Sequence, residues 1–380
     1  MSVWDAVIGQ GAVVDTLRNA VADPRAMTHA WLITGPPGSG RSVAARAFAA
    51  ALQCEESPGG CGVCKGCRTV LAGTHPDVTF VTTDRVVINI AEVRELVATA
   101  ARSASQGRWR IIVVEDADRM VERTSNVLLK SIEEPAERTV WLLCAPSPDD
   151  VIVTIRSRCR HVGLRIPDPQ AVADLLVERN GVDPEVAIAA ARAAQSHVGI
   201  ARRLATNEEA RRRRHRLLTL PSRIRGVGDA ILEAAIVVEE ATADAKAVGT
   251  ERDQEERAEL LRTLGVAEGA AIPPALRAQV RQLEENQKKR STRVQRDALD
   301  RAMTDLLSFY RDVVAVQVGA EVPLVNSDLT EEVRAVAKDS TPEQTMRRMD
   351  AIGEARERLE GNVAPLLAVE AMLVALRPQG

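Results

Sequence analysis

Between residues 31 and 161 short β-rich runs alternate with stretches of helical periodicity, and this alternation constrains the chain more than any other feature. AWLIT is followed by VAARAFAAAL, DVTFV by AEVRELVATAA, WRIIVVED by NVLLKSIEE, and VWLLCA by a turn. Parallel strands need a long crossover between them, usually a helix, so the rhythm predicts βαβ units around a parallel sheet. After Pro167 the strand signals stop. Helical patterns over 169–179, 184–194 and 199–205 predict a small helical lid, and from Ala210 onward helix dominates. The expected fold class is α/β followed by all-α, in three parts: a sheet domain over 1–165, a lid over 166–207 and a helical domain over 208–380.

Three parts agree with the length, because 380 residues exceed the roughly 250–300 at which one core stops growing. Hydrophobic residues make up 45% but aromatics only 2%, so the cores must be built from Ala, Leu, Val and Ile, which suit packed helices. A formal charge of −3 excludes a protein that grips nucleic acid through its overall charge; any DNA contact must be local or shared with partners. The opening MSVWDAVIGQ has no basic segment ahead of an apolar one, and no run of about 18 apolar residues occurs anywhere. Neither secretion nor membrane spanning is signalled, and a cytoplasmic location is expected. The charged stretch 250–301 reads as two long helices about a Pro273-Pro274 turn, forming a solvated hairpin or insertion. The final NVAPLLAVEAMLVAL reads as an amphipathic helix whose apolar face packs in the last domain or against a neighbour.

The first strand runs into Gly35-Pro36-Pro37-Gly38-Ser39-Gly40-Arg41-Ser42 and then a helix. In that context glycines let backbone N–H groups close around phosphates, as in G-x4-G-K-[ST]. Arg41 stands where that pattern has lysine, and a planar guanidinium cannot simply replace a compact ammonium beside the β- and γ-phosphates. Binding of ATP or ADP with little or no hydrolysis is one reading; a Gly/Pro turn with no nucleotide is the other. The strand RIIVV ends at Glu115-Asp116, where such proteins place acids to hold Mg²⁺ and orient water. The same pair also suits a solvated turn that caps the next helix.

Cys54, Cys61, Cys64 and Cys67 are spaced C-x6-C-x2-C-x2-C among four glycines, directly after the helix that follows the phosphate loop. Without an export signal, metal is favoured over disulfides, and four thiolates close a tetrahedral Zn²⁺ shell. A closed shell leaves no open position, so the zinc is expected to be structural. Cys144 and Cys159 read as small apolar residues in or beside strands.

Several segments in fixed order carry a resemblance: Val7-Ile8-Gly9-Gln10, His29-Ala30, the cysteine knuckle, Gly73-Thr74-His75-Pro76-Asp77, the acidic strand end, NVLLKSIEEP over 126–135, and Ser157-Arg158-Cys159. Together they resemble the AAA+ clamp-loader subunits of bacterial DNA polymerase III, gamma/tau and delta-prime, over about residues 1–206. The resemblance implies that Arg158 serves as an arginine finger for ATP on an adjacent subunit, and that Arg202, in Gly199-Ile200-Ala201-Arg202, reaches phosphate in its own. It implies a hetero-oligomeric ring with gamma/tau and delta subunits, a C-terminal helical collar, and action on a sliding clamp and primed DNA. Hydrolysing members carry a polar threonine pair where this chain has Ala145-Pro146. With the lysine and that pair missing, the pattern is nearer delta-prime, a stator, than gamma/tau. An ATP-hydrolysing AAA+ protein and a zinc-dependent DNA-binding protein stay open as alternatives.

Overall fold

The computed structural model describes residues 2–56, 59–81, 88–263, 273, 277–361 and 363–377. The chain divides into two units, 1–206 and 207–380. The three helices expected as a lid fall within the first.

In the first unit β1 (Ala30–Thr34), β2 (Val78–Val81), β3 (Arg110–Val114), β4 (Thr139–Ala145) and β5 (Arg160–Gly163) form one parallel sheet in the order β2-β3-β4-β1-β5. All residues of β1, β3 and β4 are buried, as expected of parallel strands covered on both faces. Alternate side chains serve opposite layers. Trp31 and Ile33 join the layer of α1 (Gly11–Ala22) and α2 (Arg41–Leu52), where Trp31 meets Phe48 edge-to-face at 5.1 Å. Ala30 and Leu32 join the layer of α4 (Ile90–Ala100) and α5 (Glu122–Glu133). α2 packs closely because most of its buried side chains are alanines, and α4 starts at a capping box of Asn89 and Glu92. β5 is one of the two edge strands and buries only Val162, so it lacks the apolar run that announces the central strands. Short helices α3 (Lys65–Leu71) and α6 (Val153–Arg156) lie between strands.

Asp77, the last residue of the His-Pro-Asp triplet, is fully buried ahead of β2. It accepts from the backbone N–H groups of Ser105, Gln106 and Gly107, each at 2.7 Å, from the Ser105 hydroxyl, and from Arg110 at 3.0 Å. Burial works against its charge, but those hydrogen bonds outweigh it and hold the carboxyl at about 2. Its role is to close the α4–β3 loop onto β2.

The helices expected to form a lid are α7 (Pro169–Asn180), α8 (Pro184–Ala193) and α9 (Val198–Thr206), close to the expected limits because their signals are local. Asp168 and Asp183 cap the first two, each followed by proline, and Gly181 ends α7 in the left-handed region.

The second unit is helical among its described residues: α10 (Glu208–Leu218), α11 (Leu220–Arg223), α12 (Val227–Thr263), α13 (Arg277–Gln317), α14 (Thr330–Lys338), α15 (Pro342–Glu360) and α16 (Pro365–Ala375). α12 and α13 pair antiparallel, with Gln295 reaching Thr242, Gln287 the carbonyl of Asp253, and Arg257 ion-paired with Glu284. The stretch 250–301 is thus the far part of a helical hairpin; of its turn only Pro273 lies among the described residues. A buried polar network ties α10 to α13: Asp312 accepts from the Asn326 backbone and side chain, and Arg214 reaches both Asn326 and Asp305. The last helix corrects an expectation. α16 is apolar nearly all round: Ala368, Val369, Met372 and Leu373 are in the core while Leu366 and Leu367 face solvent.

Candidate functional site

β1, β3 and β4 end at the same edge of the sheet, so the phosphate loop, Glu115-Asp116 and Ala145-Pro146 are neighbours. The N–H of Gly35 donates to the carbonyls of Ala145 (3.3 Å) and Pro146 (3.2 Å), which fixes the start of the loop to the end of β4. Gly38 and Gly40 take φ of +87° and +92°, a region side chains avoid. A Cβ at Gly38 would also lie 2.8 Å from that of His197. The turn between α8 and α9 therefore meets the loop through His197, and there Gln195 and Ser196 both hold positive φ.

Between them lies a cleft of about 310 Å³, lined by Ala6, Ile8, Pro167, residues 37–43 and residues 197–199. Ser39, Gly40, Arg41 and Ser42 are thus brought together, and Gly38 with them. Gly40 precedes α2 as its cap residue and offers no side chain to the helix's first N–H groups. Ser39 is 2% exposed, and its hydroxyl has no protein partner. This donor set fits a phosphate group. Arg41, however, turns one guanidinium N–H back to the carbonyl of Gly35 at 2.8 Å.

The acids are also turned inward. Glu115 pairs with Arg46 of α2 at 3.2 Å, and the Arg46 guanidinium lies over the Phe80 ring at 4.2 Å. Asp116 lies 3.8 Å from Arg119. The Cys144 thiol beneath them is pushed up to about 12 by burial, with the charge of Glu115 adding to the effect, so it is an inert core group. Cys159 is likewise pushed up to about 12 by burial.

The four knuckle cysteines converge, with all four Sγ atoms within 4.8 Å of one another. Zn–S bonds of about 2.3 Å imply S–S edges of about 3.8 Å in a tetrahedron; Cys64 and Cys54 sulfurs are 3.9 Å apart. Backbone N–H groups of Cys61, Cys64 and Cys67 donate to the sulfurs of Cys54, Cys61 and Cys64 at 3.3–3.4 Å, the arrangement that supports thiolates. Burial pushes the Cys67 thiol up, which a bound cation would reverse. The knuckle is fastened to the fold by Trp4, whose indole N–H donates to Gly59 at 2.7 Å. Gly66 is required for contact, since a Cβ there would fall 2.3 Å from the carbonyl of Gln53. The cluster can hold a metal ion such as zinc.

Arg158 lies apart from the cleft lining, after α6. It is 40% exposed and held by Glu133 of α5 at 2.6 Å, with further bonds to the carbonyl of Thr154 and the hydroxyl of Ser157. Its neighbours are engaged elsewhere: Arg156 with Asp149, Arg160 with the Ala26 carbonyl and the Trp31 ring. Arg202 is exposed on α9 and outside the cleft lining, where His197, Val198 and Gly199 stand instead. Sequence reading passed over Arg46, Glu133 and His197. Only Arg46 left a signal, as the one charge inside the Ala-rich run VAARAFAAAL.

Residues 9–168 match the family described as DNA polymerase III, delta subunit. The delta-prime subunit of Pseudomonas aeruginosa is 35% identical over 164 residues, which are 42% of this chain and 50% of that one. The delta-prime subunit of Bacillus subtilis is 25% identical over 364 residues, covering 93% of this chain and 92% of the relative. The gamma/tau subunit of Mycobacterium tuberculosis is 32% identical over 182 residues, 46% of this chain and 31% of its own length. The match thus spans half the length of the Pseudomonas relative and nearly all of the Bacillus one. Over residues 9–168 this chain is thus similar to the DNA polymerase III delta-subunit family, and subunits named delta-prime are among the proteins it resembles.

Proposed function

We propose that this chain is a delta-prime-like subunit of a DNA polymerase III clamp loader. It acts as a stator and presents Arg158 to ATP bound on a neighbouring gamma/tau subunit, so that a sliding clamp is placed on primed DNA in the cytoplasm. The observation that carries this reading is a contrast of charges. Arg158 stands at the surface with its guanidinium oriented by Glu133, while Arg41, Glu115 and Asp116 of the chain's own loop are satisfied by internal partners. An oriented surface cation can stabilise charge developing on a phosphoryl group across a subunit boundary.

In this reading residues 1–165 form the AAA+ domain, 166–207 the lid and 208–380 the collar. A structural zinc ion held by Cys54, Cys61, Cys64 and Cys67 stiffens the first of these. The purified chain is expected to elute as a complex with gamma/tau and delta subunits and to show little ATP turnover alone. Failure to co-elute, together with vigorous ATPase activity of the chain by itself, would instead identify an autonomous ATPase.

A further inference from the structure

Two of the segments that carry the resemblance, 126–135 and 157–159, meet at one contact: Glu133 of the first pairs with Arg158 of the second at 2.6 Å. Glu133 is the last residue of α5. The carbonyls that end a helix carry partial negative charge, so an acid is disfavoured there unless a cation is brought to it. Arg158 is that cation. Its Nη1 also donates to the Thr154 carbonyl at 2.8 Å and to the Ser157 hydroxyl at 3.2 Å, so three acceptors hold the guanidinium against its own chain. Both side chains stay open to solvent, 40% for Arg158 and 45% for Glu133, and an ion pair this exposed is weak enough to be exchanged for a stronger one. A triphosphate offers such a partner, because its oxygens meet the planar guanidinium in the same two-pronged way as a carboxylate and carry more charge. While Glu133 neutralises it, Arg158 has little attraction left for charge that develops elsewhere.

We propose that Glu133 is a positioning residue that restrains the finger: it holds Arg158 at the end of α5 while no triphosphate faces it, and gives it up when one does. The inference rests on the reading that Arg158 serves ATP on a neighbouring subunit, and adds that the finger is regulated from within its own chain. The restraint slows hydrolysis until assembly on primed DNA brings the neighbour's phosphates close enough to compete with Glu133.

The test is the ATPase of a loader reconstituted from this chain with gamma/tau and delta subunits, measured without DNA and with primed DNA, co-elution confirming assembly. Glu133→Gln keeps the size of the side chain and removes its charge, and should raise DNA-free turnover about threefold, narrowing the gap between the two rates. The double variant Glu133→Gln with Arg158→Ala should turn over no faster than Arg158→Ala alone, since the restraint acts only through the finger. A DNA-free rate that Glu133→Gln leaves unchanged or lowers would overturn the proposal, as would a rise that persists in the double variant. The two readings fail separately: wild-type turnover with Arg158→Ala removes the finger and its restraint together, whereas impaired turnover with Arg158→Ala and no rise with Glu133→Gln removes the restraint alone.

Discussion

The cysteine knuckle and the phosphate loop lie at opposite ends of one helix, and both are built from glycine-rich turns, yet they use their donors in opposite ways. In the knuckle four sulfurs converge and the backbone N–H groups support them, so the donor set is complete for a cation. In the phosphate loop the backbone cradle is kept, but the charged side chains bond to the protein itself: Arg41 to Gly35, Glu115 to Arg46, Asp116 to Arg119. A site that keeps its shape while its charges are paired internally can bind without catalysing. In the proposed reading, the difference separates a part that holds the domain together from a part that no longer turns over nucleotide.

The largest effect should come from the knuckle. Cys67→Ser removes a buried ligand beside Ala50 and should abolish stoichiometric zinc while destabilising the first unit by at least about 4 kcal/mol, read by metal analysis and denaturant unfolding. Zinc retained at full occupancy with unchanged stability would break the contrast.

Asp77→Asn serves as a control, since Asp77 belongs to neither site but is buried and multiply bonded. A cost of about 3 kcal/mol is expected at neutral pH. The folded carboxyl sits at about 2 against an ordinary 3.8, so its contribution is fully present above pH 3.8 and is lost as pH falls toward 2. The variant should lack that limb of the acid-unfolding curve.

Arg41→Lys should have the smallest effect, shifting stability by less than about 0.5 kcal/mol. It restores the lysine that the loop pattern calls for, yet Glu115 stays paired and Ala145-Pro146 still lacks a polar group. ATPase assays of the isolated variant should therefore show no gain. Restored turnover would mean that the lysine alone had been missing.

Most of the fold was legible because its signals are local. The three central strands are largely apolar runs, α7 and α8 carry Asp-Pro starts, and the cysteine spacing already specifies its shell. What could not be read depends on tertiary neighbours. β5 buries one side chain and forms only because β1 offers an edge. α16 was expected to be amphipathic, but apart from Glu370 its sequence is apolar and only packing decides which side is covered. The phosphate-loop residues were found from their spacing, whereas the partners that neutralise the site were not. Arg46 reaches Glu115 across 69 positions, and Glu133 reaches Arg158 from another helix. His197, on the turn before α9, lines the cleft, and Arg202, expected to reach phosphate, does not.

The claim that this chain serves a neighbour's chemistry is tested most directly by the DNA-stimulated ATPase of a loader reconstituted with Arg158→Ala. Because the Arg158–Glu133 pair is exposed, the substitution should cost less than about 1 kcal/mol of stability, and the complex should assemble. A loss of at least about tenfold in turnover, with assembly intact, is the predicted result. Wild-type turnover in the assembled Arg158→Ala complex would contradict it.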